Sequence, residues 1–194
     1  MTPDEQLMQA IEAKYGGYIA EAVAGTPFPA ALLAALVANE SGLNEQAARF
    51  EHSVVGDLLL VLVDRKPNFG SITKAKLIDW IPAGFTIGQV ALSLANLATS
   101  WGPTQIMGYQ ALAGGFPLSE LTNLQKHFGH TVGMLDDFQK RFNIPDAATV
   151  MGKDGTSIGE FFHCWNSGRP NGQTADPNYT AKGLARMQLY EALA

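Results

Sequence analysis

The sequence predicts a mainly α-helical protein with a small β or extended region. Three observations favour this class: apolar residues recur at helical spacing through most of the chain, capping residues precede several of these segments, and glycine or proline follows them. Apolar residues make up 46% of the 194 residues and charged residues 16%, which is enough apolar material for a folded core. Because no internal repeat, low-complexity tract or change in composition divides the chain, we predict a single domain over residues 1–194.

The first helix is predicted from its capping residues. Thr2 can cap it, and Glu5 three residues later completes a capping box. Apolar residues then lie on one face until Gly16-Gly17, which predicts the end of this helix. A second short helix is expected at Ile19–Ala24, ending at Gly25.

The next helix is predicted to be buried on most sides, because residues 29–38 are apolar almost without interruption. Asn39-Glu40-Ser41 follows at its C-terminal end, where Gly42 is placed to terminate it. A carboxylate is unfavourable there, since the helix dipole favours cations at that end. Glu40 therefore has two interpretations: an ordinary exposed glutamate, or a desolvated carboxylic acid whose pKa is raised so that it can act as a general acid.

The rest of the chain is predicted as further helices around one extended segment. Residues 49–63 are rich in Val and Leu without helical period, and we predict a strand or extended loop there, followed by a loop at residues 64–70. A polar connector is predicted at residues 143–157. Helices are expected at Thr73–Trp80, Ile87–Ala98, Ser119–His127, Thr131–Phe142, Ser157–Trp165 and Tyr179–Leu193.

Four separated segments have polar and aromatic residues suited to binding a polysaccharide. An amide offers a hydrogen-bond donor and acceptor together, as an N-acetyl group requires, and Tyr or Trp offers a flat apolar face with a polar tip. The segments are Asn39-Glu40-Ser41-Gly42, residues 101–107 (Trp-Gly-Pro-Thr-Gln-Ile-Met), Trp165-Asn166-Ser167-Gly168 and Tyr179-Thr180-Ala181-Lys182. For Trp165, packing in the core is an equal alternative.

All four segments carry a family resemblance. Trp165-Asn166-Ser167-Gly168 resembles the Tyr-Asn-Ala-Gly segment, and Tyr179-x-x-Lys182 the late Tyr that precedes a Lys, of soluble lytic transglycosylases and goose-type lysozymes. Glu40-Ser41-Gly42-Leu43-Asn44, followed by Ala47, resembles the Glu-Ser motif of soluble lytic transglycosylases and goose-type lysozymes. A closer resemblance is to the N-acetylmuramidase family of phage endolysins and bacterial cell-wall lytic enzymes, over about residues 30–190. Its Phe-Glu-Arg-His and Ser-Trp-Gly-x-x-Gln-Ile-Met-Gly segments correspond here to Phe50-Glu51-His52 and residues 100–108. The chain departs from that pattern at Pro103-Thr104, which replaces an apolar pair, in the missing Arg after Glu51, and in a longer loop at Arg169–Gly172.

This resemblance implies a lysozyme-like fold in which the small β or extended region lies beside the active-site cleft. It implies cleavage of the β-1,4 bond between N-acetylmuramic acid and N-acetylglucosamine in peptidoglycan, whose glycan strands are the expected partner. Glu40 would be the general acid, no cofactor or metal is implied, and the substrate site would be lined by Ser41, Gln105, Tyr109, Asn166 and Tyr179. Two alternatives stay open: a non-hydrolytic lytic transglycosylase that forms 1,6-anhydro-muramic ends, and a catalytically silent module that only binds glycan.

Hydrolysis raises the question of a second catalytic carboxylate, because most glycosidases use two. Glu51 is the candidate, on the expectation that the chain folds it back toward Glu40, and Asp57 and Asp64 are its rivals. The alternative for Glu51 is a structural ion pair with Arg49 or another base. If no second carboxylate is close, the acetamido group of the substrate would act instead and the product would be an anhydro sugar.

Composition argues against several other classes. A net charge of −5 without any Lys/Arg run disfavours nucleic acid as a partner, and Cys164, the only cysteine, cannot form an intramolecular disulfide. The longest apolar run is shorter than the ~20 residues of a membrane span, so we expect no membrane span. We also expect a monomer. The acidic first residues lack the features of a signal peptide, so we expect synthesis in the cytoplasm and action on the cell wall after release by another route.

Two further patterns are set aside. His127-x-x-His130 could bind a metal, but Gly129 is expected to interrupt the helix that would align both rings. Gly155-Thr156-Ser157-Ile158-Gly159 matches a hydrolase nucleophile motif, but no convincing strand precedes it. A helix capping box from Ser157 to Glu160 explains that segment better.

Overall fold

The computed structural model describes residues 1–81, 84–145 and 156–193, with the backbone alone at residues 156 and 157. The protein is mainly helical with small antiparallel sheets, in agreement with the predicted class. In chain order the elements are α1 (Pro3–Val23), α2 (Ala30–Glu40), β1 (Ala48–Phe50), α3 (His52–Leu62), β2 (Asn68–Phe69), β3 (Ile72–Thr73), α4 (Lys74–Trp80), α5 (Ile87–Leu97), β4 (Thr99–Trp101), β5 (Ile106–Met107), α6 (Gly108–Gly114), a 3₁₀ helix (Leu118–Thr122), α7 (Leu124–Phe142), α8 (Thr156–Ser167) and α9 (Tyr179–Glu191).

The described residues form two compact units. The first unit contains Met1–Asn44 and Leu124–Ala194, and the second contains Glu45–Asn123. Helices α1, α2 and α7 to α9 therefore belong to the first unit, and all of the strands belong to the second. Neither junction has a run of glycine, serine and proline that would indicate a linker in the sequence.

Helix α1 begins with the predicted capping box. Thr2 Oγ1 accepts the Glu5 N–H at 3.2 Å, and the Glu5 carboxylate accepts the Thr2 N–H at 2.6 Å. Gly25 follows the helix with φ +75°, as predicted for a terminating glycine. Both ends are thus determined by short-range chemistry.

The predicted break at Gly16-Gly17 is wrong, because α1 continues through it to Val23 and contains the segment that we expected as a separate helix. Tyr15 and Ile19, on either side of the two glycines, are fully buried. Packing of these side chains outweighs the ~1 kcal/mol by which each glycine disfavours a helix.

Helix α2 is the buried helix that its composition predicts. Every residue from Ala31 to Ala38 is buried, and the helix packs against α1 and α9 in the core of the first unit. Gly42 ends it as predicted, with φ +64° and its N–H donated to Val37 O at 2.9 Å. The apolar run and the terminating glycine therefore place Glu40 at the last position of this helix.

The second unit contains the short sheets. Strand β4 is the central strand of an antiparallel sheet with β1 and β5, in a register that places Ser100 opposite both Arg49 and Met107. Strands β2 and β3 form a separate hairpin. The apolar core of this unit comes from three helices and one strand and includes Leu58, Val61, Ile72, Leu77, Leu94 and Leu97.

The extended region predicted at residues 49–63 is wrong for most of its length. Only Ala48–Phe50 is a strand, and His52–Leu62 forms α3. Leu58 and Val61 are fully buried at helical spacing, whereas Leu59 and Leu60 are 49% and 43% exposed. These exposed leucines occupy positions that are polar in most surface helices, so the helical period was hidden in the sequence.

Helix α7 (Leu124–Phe142) joins the end of the predicted helix Ser119–His127 to the predicted helix Thr131–Phe142, while residues 119–122 belong to the 3₁₀ helix. Helix α7 passes through the exposed Gly129, so His127 and His130 lie on one helix, contrary to our expectation. Within the described ranges, no group of three or more His, Cys, Asp or Glu side chains is placed to hold a metal ion.

The other predicted helices agree closely with α4, α5, α8 and α9. Residues 146–155 of the predicted connector, and with them the first residue of the Gly155–Gly159 pattern, lie outside the described residues. In the part of the chain that the structure describes, no helix combines the length and apolarity needed to cross a membrane.

Candidate active site

The candidate acid lies in the first unit, at the end of its most buried helix. Glu40 is the last residue of α2 and is half-buried, while the residues that precede Asn39 are buried. Ser41 is the C-cap and donates its N–H to Val37 O at 3.0 Å. A carboxylate beside the terminal carbonyls of a helix is unfavourable for stability.

A tyrosine from a distant part of the chain donates a hydrogen bond to this carboxyl group. The Tyr179 hydroxyl, from the first residue of α9, donates to Glu40 Oε1. The Tyr179 side chain is 6% exposed, and its ring meets that of Phe162 edge to face. Burial, and next the charge of Glu40, raises the pKa of Tyr179 well above its usual value near 10. The phenol is therefore a hydrogen-bond donor throughout the physiological pH range.

The residue before the candidate acid, Asn39, also contacts this tyrosine. Asn39 Nδ2 donates to the main-chain carbonyl of Tyr179 at 3.1 Å, and Asn39 Oδ1 accepts from Arg186 Nη1 at 2.8 Å. From the sequence, Asn39 was placed only in the Asn39-Glu40-Ser41-Gly42 segment suited to binding a polysaccharide, and Arg186 had no assigned role. The available signal was the position of Arg186, about two helical turns after Tyr179 and hence on the same face of α9.

Asn166, a predicted substrate residue, holds the loop that leads to Tyr179. Its Oδ1 accepts the Ala175 N–H at 3.1 Å, and the residue is exposed at the end of α8. One turn earlier, His163 Nδ1 lies 2.8 Å from Gly172 O. Because a carbonyl only accepts, this nitrogen carries the proton. Both side chains thus tie the last turn of α8 to the loop before α9.

The neighbouring residues Cys164 and Trp165 belong to the core of the first unit. Cys164 is fully buried, and burial raises the pKa of its thiol to about 12. Trp165 packs at the edge of the apolar cluster, with its ring edge to face with that of Phe138. Trp165 is thus half-buried against the core, and a role for it in binding glycan stays a prediction.

Glu51, the predicted second carboxylate, belongs to the second unit. It is the N-cap residue of α3, and its Oε1 accepts a hydrogen bond from Arg49 Nε at 2.6 Å in an ion pair. This is the structural ion pair that we considered as the alternative. The Glu51 side chain is 34% exposed, so water shares in its solvation.

Its two rivals also form ion pairs within the second unit. Asp57 on α3 accepts from Lys66 Nζ at 2.9 Å, and Asp64 pairs with Lys74. Asp64 is largely exposed and has a positive φ of 59°. Each of these two carboxylates therefore forms an ion pair with a lysine of its own unit.

Gln105, a predicted substrate residue, braces the β4–β5 turn of the second unit. Its Nε2 donates to Ala47 O at 3.0 Å and to Gly102 O at 2.9 Å, and its Oε1 accepts from Ser100 Oγ at 2.7 Å. Both amide protons are thus used within the unit. The backbone of Gln105 has φ +57°, a left-handed conformation that these three hydrogen bonds stabilise.

Tyr109, the remaining predicted substrate residue, packs against the core of the second unit. Its ring lies 5.0 Å from that of Phe69, edge to face, and burial raises the pKa of its phenol.

The predicted site residues are distributed over both units. The first unit contains Glu40, Ser41, Asn166 and Tyr179, and the second contains Glu51, Gln105 and Tyr109. No protein-family model, curated protein or solved structure gives a significant match to this chain.

Proposed function

We propose that this protein is a peptidoglycan-degrading glycosidase of the muramidase type, with a lysozyme-like fold and Glu40 as its general acid. The observation that carries the proposal is the hydrogen bond from the buried Tyr179 phenol to a half-buried carboxyl group at the end of an apolar helix. The motif resemblance supplies the substrate, the β-1,4 bond between N-acetylmuramic acid and N-acetylglucosamine. The mainly helical architecture with small antiparallel sheets is compatible with this fold.

The phenol determines where the catalytic proton resides. Because Tyr179 donates to Oε1, that oxygen is an acceptor, and the proton of neutral Glu40 is carried on Oε2. From Oε2 it passes to the glycosidic oxygen of the bound strand as the bond to the sugar breaks. The carboxylate left behind keeps the hydrogen bond from Tyr179, and this bond is stronger to a charged acceptor than to a neutral one. Tyr179 therefore favours the product side of the proton transfer.

Transglycosylation is the second candidate reaction, and the pairing of the three candidate second carboxylates supports it. Glu51, Asp57 and Asp64 each form an ion pair with an arginine or a lysine. One acid is sufficient when the acetamido group of the substrate attacks the sugar carbon, whereas hydrolysis by two protein carboxylates needs a second one. The product distinguishes the two reactions: a reducing end for hydrolysis, and a 1,6-anhydro-muramic end for transglycosylation.

The test compares two glutamates that both accept a phenol hydrogen bond in the first unit. Glu40 accepts from Tyr179, and the exposed Glu12 on α1 accepts from Tyr190. Glu40→Gln should lower the rate of digestion of purified sacculi by about 10²- to 10⁴-fold, the contribution of a general acid, while Glu12→Gln should keep the parent rate. Mass spectrometry of the released muropeptides then identifies the ends formed.

Three outcomes would contradict the proposal in different ways. Digestion by Glu40→Gln at the parent rate would remove Glu40 as the acid. A parent protein that binds sacculi without releasing fragments would indicate the glycan-binding module instead. Equal loss of activity in Glu40→Gln and Glu12→Gln would indicate that folding, rather than chemistry, had been disturbed.

A further inference from the structure

One arginine connects three helices next to the candidate acid. Arg186 on α9 donates from Nη1 to Asn39 Oδ1 on α2, and from Nε and Nη2 to Asp4 Oδ1 on α1, at 2.8, 3.2 and 3.0 Å. Its side chain is only 15% exposed. A partly buried guanidinium needs its donors satisfied, and these two partners accept three of its five N–H groups.

Arg186 also determines the orientation of the Asn39 amide. A guanidinium can only donate, so the side of the amide that faces Arg186 is the oxygen. The amide nitrogen must then point the other way, and there it donates to the main-chain carbonyl of Tyr179. An amide that turned over would place its nitrogen against Arg186 and its oxygen against that carbonyl, so both contacts would become repulsive.

Two consecutive residues of α2 therefore hold one residue of α9. Asn39 binds the main chain of Tyr179, and Glu40 accepts the hydrogen bond from its side chain. The N–H of Tyr179, the first residue of α9, is donated to Asp176 O at 3.0 Å. The Asn39 hydrogen bond to its carbonyl adds a side-chain contact from another helix at the point where the phenol meets the carboxyl group.

We propose that Asn39 is a positioning residue for the acid, acting through Tyr179, and that Arg186 in turn positions Asn39. This inference rests on the proposed function, since it assigns the purpose of the arrangement to proton delivery by Glu40. Asp4 is 47% exposed and contributes least, because water screens its ion pair with Arg186. The effects of substitution should decrease in the order Asn39, Arg186, Asp4.

The experiment is a double-mutant cycle of Asn39→Ala and Tyr179→Phe, with kcat and KM measured on soluble glycan strands. We expect Asn39→Ala alone to lower kcat by about tenfold to a hundredfold, the effect of a small misplacement of a reacting group, with KM unchanged. In the Tyr179→Phe background the same change should have little further effect. The matched control is Gln125→Ala, which removes a 2.7 Å amide hydrogen bond between α7 and Glu21 of α1 and should leave kcat unchanged.

The same four proteins separate failure of this inference from failure of the proposed function. Equal losses of kcat in both backgrounds, or none in either, would overturn positioning through Tyr179. If the parent protein leaves glycan strands intact, the proposed function fails, and the cycle is then evaluated from denaturant unfolding. Non-additive losses would still support the coupling of Asn39 to Tyr179, and additive losses would overturn it. If Asn39→Ala does not fold, Arg186→Lys replaces it in the cycle, because a lysine keeps the charge but cannot bind Asn39 and Asp4 with one planar group.

Discussion

Removal of the Tyr179 hydroxyl is the most informative single change, because the molecule contains its own control. Helix α9 carries two buried tyrosines that each donate to a glutamate on another helix, Tyr179 to Glu40 and Tyr190 to Glu12. Tyr179→Phe and Tyr190→Phe each delete one oxygen atom and keep the ring. Only the first change touches the proposed acid.

The expected losses of stability follow from the surroundings of the two glutamates. Glu40 is half-buried, so removal of the phenol from which it accepts should lower the free energy of unfolding by about 1–3 kcal/mol, the cost of leaving a partly buried acceptor without its partner. Glu12 is exposed and water can replace the phenol there, so Tyr190→Phe should cost about 0.5–1.5 kcal/mol. Denaturant unfolding followed by circular dichroism measures both values.

The two variants should differ far more in activity than in stability. If the phenol supports Glu40 during proton transfer, about 1.5–3 kcal/mol of lost stabilisation corresponds to a decrease in kcat of about tenfold to a hundredfold for Tyr179→Phe. Tyr190→Phe should retain the parent kcat. Release of soluble fragments from purified sacculi at saturating substrate is the assay.

Alkaline titration examines the same hydrogen bonds independently. Burial raises the pKa of both Tyr179 and Tyr190, with the neighbouring glutamate as the second cause. A group whose pKa is higher in the folded state stabilises the fold at pH values below its unfolded pKa, near 10, and this contribution is lost as the pH rises further. Unfolding above pH 10 should thus precede or accompany ionisation of these two phenols in the near-ultraviolet spectrum.

Full activity in Tyr179→Phe, or the same loss of activity in Tyr179→Phe and Tyr190→Phe, would refute the proposed support of Glu40 by the phenol.

Three further predictions concern the packing of each unit. Cys164 is fully buried, so it should resist a thiol reagent in the folded protein and react on unfolding; rapid labelling of the native protein would contradict this. Because the pKa of its thiol is raised to about 12 in the folded protein, the free energy of unfolding should decrease progressively as the pH rises from about 8.5 toward that value. Gly183→Ala should lower the free energy of unfolding by about 1–3 kcal/mol, because the new Cβ would lie 2.5 Å from the Phe162 ring. Gly129→Ala is the matched control: it lies at an exposed helix position with no atom near the new Cβ, so it should raise the free energy of unfolding by about 0.4–1 kcal/mol. Gln105→Ala should lower the free energy of unfolding by about 1–3 kcal/mol, because it removes the side-chain hydrogen bonds of this residue. Gln105→Gly should cost less, because glycine adopts the positive φ of position 105 without strain. A larger loss for Gln105→Gly than for Gln105→Ala would exclude the left-handed backbone as a source of strain.

Local signals in the sequence were sufficient for some elements and misleading for others. The capping box at Thr2 and Glu5 and the stop at Gly42 were predicted because the groups that satisfy the backbone there lie within a few residues. The break at Gly16-Gly17 was predicted wrongly because buried neighbours on the same helix outweigh the propensity of glycine. The helix at His52–Leu62 was missed because exposed leucines concealed its period.

Some residues of the candidate site were likewise visible in the sequence, and others were not. Glu40 stood out because a carboxylate at the end of an apolar helix contradicts the local preference, and that contradiction is visible in the sequence. Tyr179, by contrast, was suggested by its residue type within one of the four segments and by the family resemblance, not as a partner of Glu40. The pairing of Asn39 with Arg186 was not predicted, since residues 147 positions apart share no pattern that a sequence displays.

The sequence by itself determined the mainly helical class, the buried helix α2 and the glutamate that ends it, because periodicity, burial and capping act over a few residues. Only the tertiary structure decided that the phenol of Tyr179 meets this carboxyl group, 139 positions away in the chain, and that an arginine orients the amide beside it. Only the tertiary structure, too, assigned Gln105 and Trp165 to internal bracing and packing. The physical reason is that hydrogen bonds and ring contacts between distant residues depend on how whole helices pack, and packing is decided by the entire core rather than by any one segment.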